Sequence, residues 1–201
     1  MSLDSSFAQL KHPNPNIRKK ARQEIAEQRD ENTIPRLMEN LEDEDIVYRR
    51  ASVKALGMIG FDAVPYLVET LSNSDNATVR TSCAKALAQV AVNYPDETFP
   101  EEGIAALNKG LKDEDAVVNL SSVMALGAIG NPALDVLMEA LETTDNLVVG
   151  VAVINALGGI SDRRAAEKLQ QLSEDDSVDP YLKESAISSL SRLEMIAKYN
   201  N

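Results

Sequence analysis

The chain says nearly the same thing twice. "KALGMIGFDAVPYLVETL" from Lys54 to Leu71 returns as "MALGAIGNPALDVLMEAL" from Met124 to Leu141, 70 residues later. The short signature behind both, "KALG" at Lys54, "KALA" at Lys85, "MALG" at Met124, "NALG" at Asn155 and "SSLS" at Ser188, recurs at intervals of 31, 39, 31 and 33 residues, with a weaker copy, "EIAE" at Glu24, ahead of them. The long interval marks an insertion, "NYPDETFPEEG", between Asn93 and Gly103. A fixed period of this length means that one small unit is stacked on copies of itself.

Each unit reads as two helices. The first carries small and apolar residues at helical spacing, as in Ala51, Ala55, Leu56 and Ile59, and is expected to close on Gly60, Gly130 or Gly159 in left-handed backbone. The second is expected to start at Asp62 or Asn131 as its N-cap, with Pro35, Pro65 or Pro132 in its first turn, where a missing N–H costs nothing. Val64, Leu67, Val68 and Leu71 mark its buried face. An acidic turn ("LEDED", "SNSD", "LKDED", "LETTD") then caps the next helix. Neither helix of a pair can bury its stripe alone, so pairs must stack. The pattern predicts an all-α superhelix, an α-solenoid of five to six units forming one domain over 1–201. The units fall near 12–41, 42–71, 72–111, 112–141 and 142–172, with a capping helix over 178–197.

Composition limits the partners. The net charge is −12, and all of the excess lies after residue 54, since residues 1–54 hold ten acids and ten bases. Broad nucleic-acid binding is therefore not expected, because phosphate neutralisation needs surplus Lys and Arg. A single cysteine, Cys83, forms no internal disulfide and points to a reducing compartment. The start, "MSLDSSFAQL", has no basic stretch ahead of an apolar core, and no uninterrupted apolar run approaches the ~20 residues of a membrane span. The expectation is a cytoplasmic protein without membrane insertion.

The short period, the Val79-Arg80 pair opening a helix and the "A-L-G-x-I-G" closing one resemble the HEAT-like repeats named after the phycobilisome lyases, over about residues 12–195. The size, the Tyr-Pro/Phe-Pro insertion and the acidic balance are similar to the E/F-type phycobilin lyase family, in particular to its smaller, phycoerythrin-associated member. That resemblance implies a cyanobacterial phycobiliprotein-biogenesis factor. It would be a chaperone-like partner or subunit of a bilin lyase, working with a second lyase-family protein on a phycobiliprotein α or β subunit. It implies no cofactor of its own, and a linear tetrapyrrole (phycobilin) as a transient ligand. A phycobilisome-degradation factor that detaches bilins, and a HEAT-type adaptor with no pigment role, stay open beside it. An iron hydroxylase of the deoxyhypusine type needs several His-Glu pairs, and His12 is the single histidine. No metal site is expected, and no catalytic residue is assigned.

The copies differ where function would lie. In such repeats the "VR" helix lines the concave face. Its inward columns are polar in the early units: Lys19, Arg50 and Thr81; Arg18, Arg49 and Arg80; Lys54 and Lys85. Later they become Leu120 and Val151, Asn119 and Gly150, Met124 and Asn155. Helices "AVVNLSSVMALGAIG" and "LVVGVAVINALGGI" are apolar nearly all round, so each is enclosed or touches something. Either the array hides this patch, or a partner covers Leu120, Val123, Met124, Val151 and Ile154. Gly150 and Gly158 fit close approach by a partner or close packing between helices equally. Arg18, Arg49 and Arg80 either tie neighbouring units through the acidic turns or join Arg50, Lys54 and Lys85 in a basic strip. Such a strip would suit tetrapyrrole carboxylates or an amphipathic helix of a protein partner. The insertion offers Tyr94 and Phe99, either as a binding edge or as a spacer that tucks Phe99 into the core.

Overall fold

The protein is described here by a computed structural model covering residues 2–199, with side chains through residue 195. Twelve helices follow one another, and no strand occurs among the described residues: α1 (Leu3–Gln9), α2 (Pro15–Glu27), α3 (Thr33–Glu39), α4 (Ile46–Ile59), α5 (Val64–Asn73), α6 (Ala77–Asn93), α7 (Glu101–Gly110), α8 (Ala116–Ile129), α9 (Leu134–Thr143), α10 (Leu147–Leu157), α11 (Arg163–Glu174) and α12 (Pro180–Tyr199). The even-numbered helices form one ladder, each packed on the next from α2 to α12. The odd-numbered helices form a looser second layer in which α5 meets α7 but α7 and α9 make no comparable contact. Tight packing on one side and splaying on the other bends the stack, with the even helices on the inside.

The turns explain why the ladder is regular. Asn14, Asp45, Asn76, Asp115 and Asn146 each sit in extended backbone ahead of an even helix and accept N–H bonds from its first turn. Each even helix then shows its small-residue face to its neighbour. Gly57 faces Gln89, where an added Cβ would lie 2.5 Å from the glutamine Cβ, and Gly158 faces Ser189 with the same clash at 2.6 Å. The glycine of the "ALG" signature is therefore a notch that lets adjacent even helices approach.

Three local expectations are corrected. Asp62 and Asn131 do not cap the second helices. They lie in 3-10 turns, Gly60–Ala63 and Asn131–Ala133, that run directly into α5 and α9, and Asp62 instead pairs with Arg29 at 2.9 Å. Gly60 and Gly130 do adopt positive φ, 84° and 77°, but they are the only two residues that do so among those described. Gly159 is not needed in that role, because α10 closes on Gly158 in right-handed backbone. Helix α1 lies ahead of the first repeat that the sequence marks. Ser2 caps it, Phe7 and Leu10 are buried, and Ser6 Oγ donates to Glu24 on α2 at 2.8 Å, so it covers the open end of the ladder.

The stretch Ile46–Asn73 reaches a mean hydropathy of 1.3, enough for a membrane helix by composition. It is broken at Gly60 into α4 and α5, and Leu56, Ile59, Val64, Leu67 and Leu71 all lie in the core.

Candidate functional site

The inner face has two halves. Along α2, α4 and α6 runs a groove of about 550 Å³. It is lined by Arg18 and Arg22 from α2, by Arg49, Arg50 and Lys54 from α4, and by Lys85 from α6, with Thr81, Ser82 and Gln89 between them. Ile46, Val47, Ala51 and Val53 supply an apolar wall. Among the described residues no Asp or Glu lines it.

Along α8 and the first turns of α10 and α12 the equivalent surface is mainly apolar, and beyond it the matching positions carry exposed Asn155, Glu184 and Ser188. Val117, Met124, Val148 and Tyr181 are 54%, 69%, 61% and 68% exposed, and Leu120 and Val151 lie half-buried between them. Positions 117, 120 and 124 fall on one helical face, as do 148 and 151, so the exposed side chains form a strip across neighbouring helices. Leu120, Met124 and Val151 are thus open to solvent in part or in full.

Several residues expected in the groove do other work. Arg80 is buried: its Nε and Nη2 donate to Asp113 at 2.8 Å each, and Nη1 donates to the Ser74 carbonyl at 2.9 Å. Arg49 donates through Nη1 to the carbonyls of Asp43 and Glu44, and Arg18 does the same to those of His12 and Pro13. Asn119, at the matching position, gives its amide to the carbonyls of Gly110, Leu111 and Asp113. This column holds the turns ahead of α2, α4, α6 and α8 in shape, which removes Arg80 and Asn119 from the contact surface. Val123 and Ile154 are buried, 1% and 0% exposed, in the packing between even helices, so they cannot meet a partner directly. Asn155 is exposed but engaged, donating to the Val151 carbonyl at 3.0 Å and accepting from Arg192 at 3.2 Å. Gly150 approaches Leu182 of α12, which assigns its missing side chain to helix packing.

The insertion is a structural plug. Phe99 is buried and packs edge-on against Phe61, ring centres 5.9 Å apart, and Tyr94 lies 5.7 Å from the same ring. The Tyr94 hydroxyl donates to the Met58 carbonyl at 2.6 Å. Both aromatics are therefore taken up by the fold. Cys83 is wholly buried, and burial pushes its thiol up to about 12, far from reactivity at neutral pH.

One groove residue escaped the sequence reading. Arg22 lies one helical turn beyond Arg18, its Nε is buried without a hydrogen-bond partner, and burial and then the nearby Arg18 lower its guanidinium pKa. A signal was available: counted through the repeat, Arg22 stands in the column of Val53, Ala84, Val123 and Ile154, where every other member is apolar.

These features define a class: a HEAT-type solenoid whose inner face passes from a basic groove to an apolar strip. Comparison with known proteins agrees on the repeat fold. The HEAT-repeat family profile matches residues 3–88 and 102–191. A phycocyanin operon protein Z of Pseudanabaena tenuis (strain PCC 7409) is 49% identical over 199 residues, covering 99% of this chain and 98% of the relative. The bilin biosynthesis protein CpeZ of Synechococcus sp. (strain WH8020) is 34% identical over 165 residues, covering 79% of this chain and 88% of the relative. The chain belongs to the HEAT-repeat E/F-type phycobilin lyase family, in its CpeZ-like branch. Among solved structures, the complex of CpcE and CpcF of phycocyanin lyase from Nostoc sp. PCC7120 shares the fold, with a TM-score of 0.52 at 18% identity over 77% of this chain and 96% of that one.

Proposed function

We propose that this chain serves phycobiliprotein biogenesis as a chaperone-like partner or subunit of a bilin lyase. Its inner face holds a phycobiliprotein subunit of the phycoerythrin type while a tetrapyrrole is attached to a cysteine of that subunit. The observation that carries this reading is the exposed strip of Val117, Met124, Val148 and Tyr181 on the same helix layer that bounds the basic groove. Side chains half to two thirds exposed each gain roughly 1–2 kcal/mol on full burial, and contiguous apolar surface of this kind marks a docking site. An apolar face beside fixed cations suits an amphipathic helix carrying acids along one edge. The bilin biosynthesis relative supplies the pigment context. The bond-forming cysteine belongs to the client, consistent with the inert Cys83. A second lyase-family protein completes the complex, and the setting is the cyanobacterial cytoplasm.

The test is co-expression of phycoerythrin-type subunits, a bilin source and their lyase, with and without this chain. Chromophore absorbance per subunit and the soluble fraction of subunit should both rise when it is present. Equal values in the two arms would reject the reading. Loss of colour from finished phycobiliprotein on adding the chain would instead identify a bilin-detaching factor.

A further inference from the structure

The four middle helices of the inner layer, α4, α6, α8 and α10, contain no Asp or Glu, in a chain that has 32 of them. The acids of these units all stand in the outer layer or in the turns. What charge the middle inner helices do show is positive and lies at one end. The groove across α2, α4 and α6 is lined by six Arg or Lys side chains among fifteen residues, with no acid among them. Burial does not explain the bias, since Arg50, Lys54 and Lys85 occupy exposed positions where a carboxylate would be equally hydrated.

The cations divide into two kinds. Arg18, Arg22 and Arg49 are half-buried, and Arg18 and Arg49 hold carbonyls of their own turns. Arg50, Lys54 and Lys85 are exposed, as is Lys19 beside the groove, and none of these four enters an ion pair among the described residues. They fall in two columns of the repeat. Lys19 precedes Arg50 by 31 residues and Lys54 precedes Lys85 by 31, so each pair occupies one position on neighbouring even helices. Packed helices lie about 8–10 Å apart. On a helix laid across the ladder, residues seven apart share a face and are separated by about 10 Å. The two spacings match. Ile46 and Val47, 50% and 37% exposed, line the same groove and offer apolar contacts beside the cations. The two columns continue on α8 as Leu120 and Met124, so the groove runs into the apolar strip without a break.

We infer that the groove is a docking track for an acidic amphipathic helix of a protein partner, laid across α2, α4 and α6, with Glu or Asp at every seventh position and apolar residues beside them. One acid then meets one cation on each even helix: Lys19 on α2, Arg50 or Lys54 on α4, and Lys85 on α6. A short acidic helix gains from these uncompensated cations, whereas a longer polyanion such as RNA meets the repulsion of a net charge of −12. That the helix comes from a client subunit rests on the biogenesis reading; its charge and spacing come from the groove.

The experiment follows the fluorescence anisotropy of labelled helical peptides added to the full chain, each about 20 residues long, enough to cross three even helices. One peptide carries Glu at every seventh position with Leu beside each. A second replaces Glu by Gln, and a third bunches the same Glu residues together. The first should bind at least tenfold more tightly than the second and at least threefold more tightly than the third. Lys54→Glu with Lys85→Glu should weaken it at least tenfold, through two lost ion pairs and two repulsions. Lys109→Glu with Lys112→Glu, at the end of α7 and outside the groove, makes the same change in net charge and should leave binding within twofold. Both double variants should melt like the parent, since all four side chains are exposed. Equal affinity for the first and third peptides, or equal weakening by the two double variants, overturns the track, because only general attraction between opposite charges would remain. Tighter binding of an oligouridine of the same length, or a dimer of this chain that Lys54→Glu with Lys85→Glu dissolves, gives the groove another occupant and overturns it as well. If the track fails while chromophore yield in co-expression still depends on this chain, the biogenesis reading stands. If the peptides bind as expected and the yield effect is absent, the biogenesis reading alone is rejected.

Discussion

Arg80 and Asp113 meet fork to fork, Nε to Oδ2 and Nη2 to Oδ1 at 2.8 Å each, across 33 residues of sequence. The same guanidinium reaches back to the Ser74 carbonyl. One side chain thus joins the turn before α6 to the turn before α8, over the insertion that lengthens this unit. Arg18, Arg49 and Asn119 hold single turns from the equivalent position, so the bridge reinforces the place where the repeat is interrupted.

Asp113→Asn should therefore lower stability at neutral pH by about 1.5–3 kcal/mol, the range for hydrogen bonds to charged groups, or roughly 3–12 °C in melting temperature for a chain of this size. Arg80 holds the Asp113 carboxyl below its usual range, mainly through its hydrogen bonds. Because the folded value lies below the unfolded one, this contribution is full above about pH 4 and is lost as pH falls through the depressed value. Melting curves of both proteins from pH 7 downward should converge below about pH 4. A constant gap at all pH values would show that the bridge does not carry the effect.

Gly57→Ala tests the notch. In an ordinary helix interior this change gains about 1 kcal/mol. Here the new Cβ would lie 2.5 Å from Gln89 Cβ and 3.2 Å from the Gln89 backbone carbon, so α4 and α6 must separate. Overpacking of this kind costs about 1–3 kcal/mol, and the expected outcome is a lower melting temperature with helicity retained. A variant as stable as the parent would mean that the ladder is loose at this step.

Tyr94→Phe separates a structural insertion from a binding loop. It deletes the 2.6 Å bond to the Met58 carbonyl and leaves the ring against Phe61. Stability should fall by about 1 kcal/mol, and subunit capture in a pull-down should be unchanged. Weaker capture at unchanged stability would return the loop to the binding surface.

The repeat period made the architecture legible, because buried apolar spacing and acidic caps are local patterns that survive stacking unchanged. Cap details were less so. Asp62 and Asn131 look like N-caps in sequence, but a positive-φ glycine followed by a 3-10 turn carries the chain into the next helix without one. Which polar side chains face solvent was harder still. Arg80 and Arg49 read alike, yet only a partner 33 residues away, Asp113, draws one of them inward. Val123 and Met124 are adjacent in an apolar run, and the neighbouring helix decides that the first is buried and the second exposed. Arg22 shows the reverse: its oddity was visible as a charge in an apolar column, but the unpaired Nε needed coordinates.

The strip itself is tested by Met124→Glu combined with Val148→Glu. Both side chains are more than half exposed, so new carboxylates there remain hydrated, and stability should change by no more than about 0.5 kcal/mol per site. A docked apolar partner would have to strip water from two charges, which costs several kcal/mol, so capture of a phycobiliprotein subunit should fall at least tenfold. Circular dichroism and melting alongside the pull-down keep the two effects apart. Leu120 and Val151 are poorer choices, because each is half-buried and a charge there would disturb the fold as well as the face. Undiminished capture by the double variant would move the docking surface off α8 and α10 altogether.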